Sequence, residues 1–79
     1  MHRADLRLKV ECEDDARGEP VPRRFTMGAR PIEVTELLDE WLAADHRYFK
    51  LIGGDGGTYI LRHDAEEDIW ELWMFSRRG

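Results

Sequence analysis

The stretch "DHRYFKLIGGDGGTYILRHD", from Asp45 to Asp64, decides the fold: two apolar-aromatic runs meet at a glycine-rich centre. They can pair in two ways. If Asp55-Gly56 forms a two-residue turn, Tyr48 lies opposite His63, and His46 and His63 point to the same face. If Gly54-Asp55-Gly56 is the loop, with Gly56 left-handed, Leu51 pairs with Tyr59, Phe49 with Leu61, Arg47 with His63 and His46 with Asp64. Side chains alternate with period two, so this slip of one residue sends every side chain to the opposite face. The two-residue turn sets Phe49 against Arg62 and Lys50 against Leu61, opposing core to charge. The three-residue loop collects Phe49, Leu51, Tyr59 and Leu61 on one apolar face, and it is the register adopted.

The same register extends toward the C-terminus. A four-residue loop, Ala65–Asp68, leads into "IWELWMF" (69–75), placing Leu61 opposite Leu72, His63 opposite Trp70 and Tyr59 opposite Met74. On the other face Arg62 meets Glu71, a favourable cross-strand pair. Toward the N-terminus, "RRFTMGARPIEV" reads as a tight hairpin about Gly28-Ala29, with Met27 opposite Arg30 and Phe25 opposite Ile32. Glycine at the first central position suits a type II′ turn. In "DLRLKVEC", Leu6, Leu8, Val10 and Cys12 alternate with charge, a half-buried strand with Cys12 on the apolar face. Residues 13–22 form the loop that follows, punctuated by Gly18, Pro20 and Pro22.

"TELLDEWLAAD" is the one helical candidate: Thr35 as cap, then Leu38, Trp41 and Leu42 on one side. A bulged strand running on from Ile32 is the competing reading of residues 35–44. The expected fold is therefore mainly β: an antiparallel meander of five or six short strands curled into a small barrel-like sheet. One short helix or bulged segment interrupts it near residues 35–44. It forms a single domain over residues 1–79, with a flexible tail at 76–79.

Composition limits the function. A chain of 79 residues with 42% apolar side chains and three tryptophans can build a core but not a deep substrate cavity. A net charge of −5 opposes a role whose main work is neutralising phosphates. The single cysteine, Cys12, points to a reducing compartment, and "MHRADLRLKV" has no apolar segment of the signal-peptide kind. No apolar run is long enough to span a bilayer as a helix. The expected location is the cytoplasm, with no membrane association.

The motifs that invite chemistry are weak. With His46 and His63 on opposite faces, the Asp-His and His-Asp pairs do not converge, and His2 is the only other histidine. No metal and no cofactor are expected. "GGDGG" lacks the Lys-Ser/Thr and helix of a phosphate loop, and Asp55 would repel an anion. Glu13, Asp14 and Asp15 crowd Cys12 and raise its pKa, opposite to what a nucleophilic thiol needs. No serine sits in a nucleophile-elbow pattern. The chain is not read as an enzyme.

The outer face of the meander carries Tyr48, Lys50, Ile52, Ile60, Arg62, Glu71, Trp73 and Phe75. Three fates are open to it. The one weighed first is that the small sheet covers it, Trp73 and Ile60 packing beneath Trp41 and Leu42. The second is a surface for a protein partner or self-association. The third, opposed by the acidic balance, is a platform for single-stranded nucleic acid, rings stacking on bases while Lys and Arg track phosphates. As a binding surface, Tyr48, Lys50, Arg62 and Trp73 are its candidate residues.

The spaced segments Arg24-Phe25, Ile32-Glu33-Val34, Leu38-Asp39-Glu40-Trp41, Arg47-Tyr48-Phe49-Lys50 and Tyr59-Ile60-Leu61-Arg62 resemble a group of short conserved bacterial proteins without assigned function. The resemblance spans about residues 23–75. In order and composition the chain is also similar to a small β-rich domain at the end of some bacterial Y-family-polymerase-like proteins. That similarity implies an interaction module connected with DNA damage tolerance and brings no catalytic residues with it. The expected role is a non-catalytic protein-binding or interaction module; the alternative is a nucleic-acid-associated accessory domain.

Overall fold

In a computed structural model of the chain, residues 7–77 are described. Six antiparallel strands follow one another: β1 (Arg7–Asp14), β2 (Pro20–Met27), β3 (Arg30–Ala43), β4 (His46–Gly53), β5 (Gly57–Asp64) and β6 (Ile69–Arg77). Each pairs with its neighbour in sequence, and β1 returns to β6 to close a barrel. The loop between β1 and β2 is confined to residues 15–19. β6 continues through Ser76 and Arg77, paired with Thr58 and Gly57, where the sequence suggests a tail. Residues 78–79 lie outside the described residues, as do His2 and Leu6.

The deciding hairpin has the three-residue loop. Leu51 faces Tyr59, Phe49 faces Leu61 and His46 faces Asp64, while Gly56 takes φ +87°. The Gly28 hairpin pairs Met27 with Arg30 and Phe25 with Ile32, as its glycine demands, with φ +62° at Gly28. Phe25, Ile32, Phe49, Leu51, Tyr59, Leu61 and Trp70 fill the interior, and all are buried.

No helix forms among the described residues; residues 35–43 are strand and Ala44 begins the turn to β4. The reason is the span that β3 must cover. Its fourteen residues serve β2 at one end and β4 at the other, and the turn between partners is made by two bulges, at Thr35 and at Leu38. Thr35 caps no helix; its hydroxyl donates to the Ile52 carbonyl at 3.1 Å. Two extra residues within one strand reproduce the uneven apolar spacing of an amphipathic helix, and cross-strand pairing overrides the local preference.

Two further bulges interrupt the ladders, and the second corrects an expected face. Opposite Cys12 and Pro22 the ladder skips Arg23, beside a proline that has no N–H to give. β1 meets β6 over only two pairs, Arg7 with Glu71 and Leu8 with Trp70. Cys12 consequently lies exposed beside a notch in the seam rather than buried as a small hydrophobe. Partial desolvation, then Asp68 and Asp14, raise its thiol pKa. In β6 the ladder skips Trp73, so Met74 pairs with Ile60 and Phe75 with Tyr59. The expected Tyr59–Met74 pair does not form. Phe75 moves to the inner face, its ring 4.8 Å from that of Tyr59.

Candidate functional site

Both ends of the barrel are closed by polar groups. At one, the buried Tyr59 sends its hydroxyl to Asp55 Oδ2 at 2.5 Å, while Asp55 Oδ1 accepts the Gly57 amide and Arg30 lies 3.8 Å from the carboxylate. The Tyr59 bond holds the Asp55 pKa low; burial, then Asp55, pushes Tyr59 up to about 12. The glycines of "GGDGG" serve this closure rather than a phosphate: a Cβ on Gly53 would lie 2.7 Å from Ile32, and one on Gly57 2.8 Å from Phe75. At the other end, Arg47 bonds Glu40 at 2.5 Å and Glu19 at 3.1 Å, its guanidinium 5.3 Å from the Phe49 ring. These charges are engaged with one another.

The two histidines face opposite sides of the sheet. His63 stacks on Trp70 at 4.2 Å inside and approaches Asp68 at 3.0 Å; His46 lies 6.4 Å from Tyr48 outside. Asp64 pairs with His46 through the backbone ladder, but its carboxylate accepts the Glu66 and Glu67 amides, capping the turn instead of binding the imidazole. No group of three or more metal-ligating side chains occurs among the described residues.

The outer face of β3–β6 is uncovered, which corrects the expectation that the sheet packs over it. A lid there would have required residues 35–44 to leave the sheet as a helix; as β3 they lie within it. Trp73 is 49% exposed, Met74 59% and Trp41 37%. The four residues singled out from the sequence, Tyr48, Lys50, Arg62 and Trp73, are brought together here. One row crosses all four strands as Trp41–Tyr48–Arg62–Glu71. Trp41 stacks on Tyr48 at 5.4 Å, and Trp73 meets Tyr48 edge-on at 5.7 Å. The Arg62 guanidinium lies 4.4 Å from the centre of the Trp73 ring and bonds Glu71 at 2.5 Å. Glu71, with a smaller contribution from Tyr48, raises the Arg62 pKa still further.

The next row reads Asp39–Lys50–Ile60–Met74, and beside it lies an open groove of about 450 Å³. Leu38 and Ile52 line one side of it and Met74 the other, with Ile60 between. Sequence reasoning missed Leu38 and Met74. Both owe their place to bulges, which leave no mark in composition. Trp41 was legible as an aromatic beside this face, but as part of a lid.

No helix among the described residues is long and apolar enough to cross a membrane. No family model, no curated protein and no solved structure matches the chain.

Proposed function

We propose that this domain is a non-catalytic protein-binding module of the cytoplasm, and that its partner seats on the outer face of β3–β6. The observation that carries the reading is the exposure of Trp41, Trp73 and Met74 together on one bare sheet face. Contiguous apolar surface rimmed by charge marks interaction sites, and tryptophan, tyrosine and arginine supply most of the energy where proteins meet. The polar clusters at the barrel ends are spent on internal bonds, which supports a binding role over a catalytic one.

A second reading, a nucleic-acid-associated accessory domain, draws on the same Trp41–Tyr48–Trp73 array beside Lys50 and Arg62. Charge weighs against it. Arg62 is neutralised by Glu71, and Glu36 and Asp39 share the face, so phosphates would meet more carboxylate than free cation.

The test is a photo-crosslinking residue placed at Trp73, with Arg17 in the β1–β2 loop as control position. A discrete protein adduct from position 73 and none from position 17 is expected, with no binding of single-stranded DNA or RNA at low salt. Salt-sensitive nucleic-acid binding that disappears in Lys50→Ala would replace the first reading with the second.

A further inference from the structure

We infer that the groove beside Ile60 takes a short amphipathic segment of a partner protein that carries a carboxylate among its apolar side chains. The inference rests on the protein-binding reading and names the chemistry of the occupant. Charge complementarity carries it. Among the residues lining the groove Lys50 is the one charged side chain, and it forms no ion pair with any described residue. Its cross-strand neighbour Asp39 does not line the groove and accepts the Glu40 amide at 2.9 Å. The other cation of this face, Arg62, is held by Glu71. An apolar occupant without a carboxylate would desolvate the Lys50 ammonium with nothing to replace its water, which is unfavourable. A basic occupant would add repulsion to that cost.

Dimensions fit the same occupant. The groove crosses from Leu38 on β3 to Met74 on β6. Strands about 4.8 Å apart make that crossing roughly 14 Å. Two to three helical turns, at about 5.4 Å each, cover it. Apolar side chains spaced three to four residues apart would then meet Leu38 and Ile52 at one end and Met74 at the other, the geometry of a helix in a groove. The Thr58 and Ser76 hydroxyls also line the groove and offer it polar partners.

Selection from a random peptide display library tests this with the whole chain as bait and Met74→Asp as counter-selection. Met74 is exposed, so that variant should keep the parent's thermal midpoint. Peptides that bind the parent and not Met74→Asp are expected to carry Asp or Glu among Leu, Phe or Trp. Lys50→Glu should weaken a selected peptide about tenfold or more, and changing the peptide's acid to lysine should restore binding to that variant. Face-dependent peptides indifferent to Lys50→Glu would overturn the inference and leave the protein-binding reading standing. If no selected peptide distinguishes the parent from Met74→Asp, both fall.

Discussion

Tyr59 does two jobs with one side chain: its ring fills the barrel beside Phe25, and its hydroxyl closes the barrel end on Asp55. A hydrogen bond to a charged acceptor is worth more than a neutral one, so Tyr59→Phe should cost about 1.5–3 kcal/mol at neutral pH by chemical denaturation. Burial of Tyr59 and the same bond make stability depend on pH, the bond at both extremes and burial at the alkaline one. Asp55 has a lowered pKa in the folded chain, so its contribution is full above the ordinary carboxylate value and fades as pH falls through the folded one. Tyr59 has a raised pKa, so its contribution is full below its ordinary value of 10 and is lost as pH climbs toward about 12. Both losses should shrink in Tyr59→Phe when thermal midpoints are followed across pH. If they persist unchanged, the Tyr59–Asp55 pair is not their source.

At the scale of strands and hairpins, what the sequence revealed was alternation, and what it concealed was bulges. The Asp45–Asp64 register was legible because only one pairing keeps Phe49, Leu51, Tyr59 and Leu61 together. It carried the Arg62–Glu71 pair with it, which the structure shows at 2.5 Å. The face of Phe75, the exposure of Cys12 and the strand state of 35–43 were not legible. Each depends on one or two skipped residues or on a two-pair seam, and such features depend on the partner strand rather than on local pattern. Tyr48, Lys50, Arg62 and Trp73 were found together because Trp73 keeps to the outer side despite the bulge, while Met74 arrives beside them through that bulge and Leu38 through its own in β3. The register itself can be tested by substitution. Leu61 is fully buried, so Leu61→Ala should cost about 2–5 kcal/mol. Arg62→Ala, which removes a partly solvated ion pair and one ring contact, should cost about 1 kcal/mol. Urea titration of both variants decides it, and a larger loss for Arg62→Ala would mean that the strands pair differently.

The whole molecule is a closed barrel with a packed interior and a bare β3–β6 face. Seven buried side chains fill the interior, and the bare face exposes large aromatic side chains. Fluorine NMR of the chain labelled with 5-fluorotryptophan addresses this directly, because its three tryptophans sample the two environments. Single substitutions assign the resonances, and a soluble gadolinium chelate, added to dilute protein, broadens those that solvent reaches. Trp73 and Trp41 should broaden strongly, while Trp70, 8% exposed, should stay sharp. A Trp73 resonance as protected as that of Trp70 would mean that the face is covered, and would contradict the claim that it is the binding surface.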